Sequence, residues 1–281
     1  MIEEARGRID YDAYGAGPTV VLVPGSCSTG AAWRPIINQW DGRFRCVTTS
    51  LLGYGGTSEG RTSEDPSIMH EVEVIESVIR RTGTRVHLVG HSFGGLIAVC
   101  VALRNRVPLA SLVVAEAPAA ELLREAGEHR HYRAFRDMTD AYFAAFHRRE
   151  TDAIAAMIDF YGGAGTFASW PERVRAYAVE TTAVNILDWA SAFAFPLSPA
   201  MLATIEIPAL VLWGGASHPA VQRANELLSH NMRTASHMTV AGAAHFMIAT
   251  HAQGVARAIA GHLDRVDGMG STMAVAATGT A

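Results

Sequence analysis

Val86-His87-Leu88-Val89-Gly90-His91-Ser92-Phe93-Gly94 is the stretch that decides the fold. The apolar run Val86 to Val89 reads as a buried strand, and Leu96 to Asn105 beyond it as a helix. A Gly-x-Ser-x-Gly placed between such a strand and such a helix is a sharp turn whose small residues let a strained backbone lift the serine oxygen out of a sheet. Ser92 is therefore the expected nucleophile.

Working outward, further buried-type runs occur at Thr19 to Val23, Arg45 to Thr49 and Ser111 to Ala115. Between them Pro66 to Thr82 carries Ile68, Val72, Ile75 and Ile79 at a helical period. Strand alternating with helix predicts an α/β fold with a doubly wound, mostly parallel sheet. From residue 121 to 199 the strand signal lapses into helix-prone stretches broken by Gly162, Gly163, Gly165 and Pro171, and strand character returns at Ala209 to Trp213 and Met238 to Val240. The expected organisation is a core of residues 1–120 and 200–265, a helical cap of 121–199 inserted after the sixth strand, and a small-residue tail, 266–281, too poor in apolar bulk to order.

Composition narrows the chemistry. All 23 basic residues are arginine, against 27 acids, for a net charge of −4 over 281 residues. With no lysine, neither a Walker-A phosphate loop nor a Schiff-base amine is possible. Scattered arginines in an acidic chain offer no basic face to nucleic acid. No apolar stretch approaches the roughly 18 residues of a membrane span, and the first residues, rich in acids, lack a signal-peptide pattern. Cys27, Cys46 and Cys100 form no C-x-x-C pair, which fits a reducing compartment. The expectation is a cytoplasmic protein without membrane or nucleic-acid partners; oligomeric state is not legible.

A serine hydroxyl needs a base to take its proton. Of 12 histidines, His245 is best placed, in Ala243-Ala244-His245-Phe246, after the last strand and before the last helix. His91 reads as a packing residue of the turn, His87 as a strand residue, and His129, His131 and His147 as solvated positions in the insertion. His129-x-His131 without a third ligand makes no metal site, so no metal or other cofactor is implied.

Val20 to Gly25, Leu52 to Ser58, the Ser92 turn and the His245 loop together resemble the α/β-hydrolase superfamily with a helical cap, over about residues 9 to 265. The resemblance implies an oxyanion hole made by two backbone N–H groups, those of Phe93 and of Ser26 in Val23-Pro24-Gly25-Ser26-Cys27, where Pro24 replaces a common histidine. It also implies an acid after the strand Ala209 to Trp213, but the matching loop, Gly214-Gly215-Ala216-Ser217-His218, places Ser217 there. Beyond Trp189 the acids are Glu206, Glu226, Asp264 and Asp267, none expected at the active edge. Glu116 ends the strand Ser111 to Ala115 and is the alternative acid. The Glu116-Ala117-Pro118 segment, Leu122-Leu123, His245-Phe246 and the acid-free Gly-Ala-Ser loop are similar to the zearalenone-type lactone hydrolases, a Ser-Glu-His group.

Most aromatic residues fall in the insertion, where they either line a substrate pocket or glue the helices together. Trp189 and Phe193, one helical turn apart, are the expected pocket wall, with Trp33 a further candidate. The expected function is a metal-free serine hydrolase of a small apolar carboxylic ester or lactone, acting through an acyl-enzyme. Carbon–carbon bond hydrolysis, perhydrolysis, or a ligand receptor with little turnover are alternatives that use the same residues.

Overall fold

The structure is a computed structural model that describes residues 1–4 and 7–278. Nine strands occur among them: β1 (Ile2–Glu4), β2 (Gly7–Ile9), β3 (Asp12–Tyr14), β4 (Thr19–Val23), β5 (Arg45–Thr48), β6 (Val86–His91), β7 (Leu109–Ala115), β8 (Ala209–Gly214) and β9 (Ala235–Val240). β1 and β2 form a separate antiparallel hairpin, and the other seven form one sheet in the order β3-β5-β4-β6-β7-β8-β9. Only β3 runs antiparallel within that sheet.

Alternation along the strands builds two cores. Val21, Val23, Leu88, Leu112, Val114 and Val211 face one side with the helices α2 (Ile68–Thr82) and α3 (Phe93–Arg104). Val20, Leu22, Val89, Val113, Leu210 and Leu212 face the other. There α1 (Arg34–Gln39) contributes Ile36, and the last helix of the chain contributes Val255, Ile259 and Leu263. Because successive side chains point to opposite faces, strands apolar at every position are what a sheet covered on both sides requires.

The chain leaves β4 toward β5 on one side and returns to β6 on the other, so the winding direction reverses between β4 and β6. Ligands of open α/β sheets bind beyond the carboxyl ends of strands at such a reversal. Here that edge gathers the loops after β4, β6, β7, β8 and β9.

Between β7 and β8 lie α4 (Ala120–Glu125), α5 (His129–His147), α6 (Ala155–Gly162), α7 (Thr166–Ser169), α8 (Glu172–Glu180), α9 (Thr182–Ala194) and α10 (Pro199–Leu202). The strand before this block is the fifth of the large sheet and the seventh of the chain, an ordinal that differs from the expected sixth because of the small strands near the start. α11 (Pro219–Asn231) follows β8, and α12 (Met247–Thr250) and α13 (Ala252–Thr278) close the chain. α13 runs from Ala252 to Thr278, through part of the tail expected from 266. The helix begins on buried Val255, Ile259 and Leu263, and His87 Nε2 lies 3.2 Å from Asp267 Oδ1. Residues 279–281 of that tail lie outside the described residues. Among the described residues no helix is long and apolar enough to cross a membrane.

Candidate active site

The turn after β6 has the strain its sequence implies. Ser92 adopts φ +55°, ψ −129°, a region that side chains other than glycine rarely occupy. Its N–H donates to Ala115 O of β7 at 2.8 Å, tying the turn to the neighbouring strand. The flanking glycines are steric necessities: a Cβ at Gly90 would lie 2.3 Å from Gly94 O, and one at Gly94 2.2 Å from Pro24 O. Ser92 thus stands at the N-terminus of α3, where free N–H groups and the helix dipole favour negative charge.

His245, 3% exposed, comes from the loop between β9 and α12 and brings Nε2 to 2.9 Å from Ser92 Oγ. Its Nδ1 lies 2.7 Å from Glu116 Oε2. Glu116, fully buried at the end of β7 with φ +51°, is a second strained non-glycine residue in the site. The other carboxylate oxygen, Oε1, accepts from Gly214 N–H at 2.6 Å and from the Ser217 hydroxyl. Burial alone would raise the Glu116 carboxyl, but the hydrogen bonds from His245, Gly214 and Ser217 outweigh it and hold the group below the usual carboxylate range. Ser92, His245 and Glu116 are therefore brought together in one hydrogen-bonded line, and Ser217 supports the acid from the adjacent strand end.

The His245 ring is enclosed by other rings. Tyr161 lies 4.0 Å from it between centroids, His91 at 4.8 Å and Phe246 edge-on at 5.3 Å. His91 is the packing residue expected of it, and more: its Nε2 donates to His245 O at 2.9 Å, fixing the backbone that carries the base. Burial, then the neighbouring His245, pushes the His91 pKa down to about 3, so the ring stays neutral.

Phe93 and Ser26 flank the serine from two sides. Phe93 is the first residue of α3, so no earlier helical carbonyl claims its N–H in the helix ladder. Ser26 follows Gly25, at which a Cβ would fall 2.8 Å from Ser92 Cβ, so this loop runs in close contact with the nucleophile. Ser26 Oγ donates to Asp188 Oδ2 at 2.5 Å. Tyr54 donates to the same oxygen at 2.7 Å, and Arg61 Nη1 donates to Oδ1 at 2.8 Å. Arg61 also binds Glu59 and lies 3.5 Å from Glu71, so three carboxylates surround one buried guanidinium. Burial outweighs the pull of Arg61 and the hydroxyls and raises the Asp188 carboxyl; the same effect pushes Glu71 up to about 8.

Asp188, Tyr54 and Arg61 escape a reading of the sequence that looks for acids only at strand ends. The signal was there in one place: Asp188 is a lone carboxylate in the otherwise apolar segment Ile186-Leu187-Asp188-Trp189-Ala190 of α9. A charge on such a segment requires a buried partner.

A cavity of about 540 Å³ opens over Ser92 and His245, walled by Met157, Ile158, Tyr161, Trp170 and Trp189 from the helical block and by Phe246 and Ile248 from the C-terminal loop and α12. Trp189 is in its wall. Phe193 is not: its ring lies behind Trp189, 5.6 Å away and stacked, with Tyr132 at its edge and the Arg136 guanidinium 4.6 Å over its face. Trp33 is not either, because it is fully buried in the core beneath the sheet with Val20, Leu22 and Ile36. A larger groove, about 640 Å³, lies away from these residues between β2 and α2 and contains none of them. His131 pairs with Glu128, and among the described residues no group of three or more His, Cys, Asp or Glu is arranged to hold a metal.

Residues 20–258 match the model of the alpha/beta hydrolase family. The chain is 34% identical over 111 residues to the pimeloyl-[acyl-carrier protein] methyl ester esterase of Aeromonas salmonicida, covering 39% of this chain and 42% of that protein. It is 31% identical over 114 residues to epoxide hydrolase 3 of Xenopus tropicalis, covering 40% and 31%. The matches thus span less than half the length of either curated relative. Among solved structures, a thermophilic esterase from Thermogutta terrifontis superposes with a TM-score of 0.71 at 21% identity, covering 92% of this chain and 93% of that one. The enol-lactonase from Burkholderia xenovorans LB400 gives 0.69 at 20% identity, covering 91% and 96%. A family match over most of the chain, on a fold these structures share, settles the kinship: the chain belongs to the alpha/beta hydrolase family.

Proposed function

We propose that the protein is a metal-free serine hydrolase that cleaves a carboxylic ester or lactone of an apolar substrate through an acyl-enzyme. The observation that carries this reading is the continuous line Ser92 Oγ, His245, Glu116 at the floor of a mostly apolar cavity. In this scheme Ser92 attacks the carbonyl carbon while His245 Nε2 takes its proton. Glu116 holds the ring so that Nδ1 carries the hydrogen, and stabilises the imidazolium that forms. The Ser26 and Phe93 N–H groups receive the oxyanion, aided by the N-terminus of α3. His245 then protonates the leaving alcohol, and water, activated by the same ring, releases the acid. Residues 121–199 act as the cap that supplies the apolar wall. Relatives whose names specify an ester or a lactone agree with this class.

The test is pre-steady-state hydrolysis of a p-nitrophenyl ester. A burst of p-nitrophenolate equal to the enzyme concentration, absent in Ser92→Ala, is expected. Turnover that persists in Ser92→Ala would refute the scheme, as would no turnover across aryl esters and macrolactones.

A further inference from the structure

Asp188 has no role in the hydrolytic scheme, yet it is where the helical block grips the site. It lies buried on α9, one residue before the cavity-wall Trp189. Its carboxylate leaves the helical block to meet three core residues, Ser26 after β4 and Tyr54 and Arg61 after β5. Arg61 is itself fixed: Nε and Nη2 donate to the two oxygens of Glu59 at 3.0 and 2.8 Å, and Nη2 also reaches Leu52 O at 3.3 Å. The Arg61–Asp188 ion pair thereby pins α9 to the core.

Ser26 stands between this anchor and the nucleophile. Its N–H donates to no group among the described residues and so is free for an oxyanion, while its hydroxyl donates to Asp188 Oδ2 at 2.5 Å. Cys27, the next residue, has φ +57°, a conformation that a non-glycine residue keeps where its surroundings hold it. The Ser26 hydroxyl and N–H hang on one Cα, so fixing the first limits where the second points. That matters because an oxyanion donor acts when it lies about 2.7–3.1 Å from the developing charge.

We propose that Asp188 is a positioning residue: across the boundary between helical block and core it holds the Ser26 hydroxyl, and so aims the Ser26 N–H at the oxyanion. The oxyanion hole is in this sense completed by the helical block. This rests on the ester or lactone reading of the site, and deepens it by naming what orients one of its donors.

Asp188→Asn isolates the effect. Guanidinium N–H groups can only donate, so the asparagine must give its carbonyl oxygen to Arg61 and its NH2 to Ser26. α9 stays anchored, but the bond to Ser26 is reversed and, as an N–H···O bond, is longer than 2.5 Å, which pushes the loop off its position. Inhibition by a trifluoromethyl ketone reads the consequence. Ser92 Oγ adds to the carbonyl carbon, the serine proton passes to His245 and the carbonyl oxygen becomes the oxyanion, with nothing leaving. The probes are 1,1,1-trifluoro-4-phenylbutan-2-one and 4-phenylbutan-2-one, which share a ring and differ in their readiness to form that adduct. In the wild type the first should inhibit at least about hundredfold more strongly. Ser26→Ala and Asp188→Asn should each cut this ratio roughly tenfold, leave affinity for the methyl ketone within about threefold, and lower kcat on a p-nitrophenyl ester with KM nearly unchanged. The double variant should lose no more than about twofold beyond Ser26→Ala, because Asp188 acts through a hydroxyl already removed, whereas a residue that merely supports the fold would add its own loss. Ser26→Ala deletes one half-buried hydroxyl and carries the test alone should Asp188→Asn not fold. A ratio that Ser26→Ala or folded Asp188→Asn leaves within twofold of wild type overturns the inference, and so do fully additive losses in the double variant. A wild type that binds both ketones equally and hydrolyses no ester removes the hydrolase reading, and this inference with it.

Discussion

Glu116→Gln tests the acid assignment, and its effect can be worked from the hydrogen bonds around the carboxylate. Oε1 accepts from two donors, Gly214 N–H and Ser217 O–H, while Oε2 faces His245 Nδ1. A glutamine must therefore keep its carbonyl oxygen at the Oε1 position and turn its NH2 toward the imidazole. An NH2 there stabilises the tautomer with a bare Nδ1, whose hydrogen is on Nε2, where it cannot take a proton from Ser92. Flipping the amide to restore the working tautomer sets the NH2 against two donors, at about 1–3 kcal/mol each, so the competent state lies about 2–6 kcal/mol uphill. The expected loss in kcat is about 10² to 10⁴, and the imidazolium loses its charged partner besides. Ser217→Ala alone leaves the Gly214 N–H and the carboxylate in place and should cost only a few fold. In the double variant a single donor opposes the flip, so Ser217→Ala should recover part of the activity lost to Glu116→Gln, a sign reversal that independent sites do not give. Steady-state kinetics on a p-nitrophenyl ester, with circular dichroism to confirm folding, measures all three. A Glu116→Gln enzyme within tenfold of wild type, or a Ser217→Ala enzyme worse than Glu116→Gln, refutes the reasoning.

Three further outcomes are expected. Ser26→Ala keeps the backbone N–H assigned to the oxyanion but removes the bond to Asp188, so kcat should fall about tenfold with KM nearly unchanged, since a loosened donor is felt most in the transition state; an unchanged kcat counts against a positioning role. Gly94→Ala forces a Cβ to 2.2 Å from Pro24 O and should abolish activity, and a fully active, equally stable variant shows the turn to be looser than described. His91 is neutral in the fold down to about pH 3 whereas in the unfolded chain it binds a proton near pH 6.5, so the stability it contributes is complete above pH 6.5 and declines by about 3 kcal/mol as pH falls to 4; urea midpoints at pH 7 and pH 4 should drop less for His91→Gln than for the parent, and an equal drop rules His91 out as the source.

What the sequence disclosed follows the apolar strands. β4, β6, β7 and β8 are buried at every position, and each shows a short run of valine and leucine, such as Val20 to Val23, Leu112 to Val114 and Leu210 to Leu212. β3, Asp12-Ala13-Tyr14, is exposed throughout and is a strand only because it pairs with β5, which no local pattern reports. β9 shows only its last residues for the same reason, since Ser236 to Thr239 are exposed along the sheet edge. In the site, residues placed by backbone position could be located from the sequence: Ser92 and Phe93 in the turn after β6, Glu116 at the end of β7 and His245 in the loop after β9. Residues placed by packing could not. Trp33 and Phe193 are aromatic side chains close in sequence to the site, but which way each points depends on the rotation of a short helix against partners distant in the chain. Asp188 lies far in the sequence from Tyr54 and Arg61 and meets them only in the fold.

The position of the acid illustrates how far a fold constrains a site. β7 and β8 are neighbouring parallel strands, paired with Ala115 opposite Leu212, and Glu116 N–H donates to Leu212 O at 3.0 Å. Their ends therefore rise side by side under His245, and a carboxylate at the end of either strand is within reach of Nδ1. The family's commoner acid position holds Ser217 here, and its hydroxyl donates to the Glu116 carboxylate. In the proposed triad a charge at the end of β7 keeps the hydrogen bond to His245 Nδ1, and Ser217 supports it. Placing an acid at both ends would set two carboxylates within hydrogen-bond reach of each other, and one would have to hold a proton. Ser217→Asp in the native background should then lower kcat, whereas Ser217→Asp combined with Glu116→Gln should exceed Glu116→Gln alone by at least tenfold. Failure of that rescue would mean the two strand ends are not equivalent platforms for the acid.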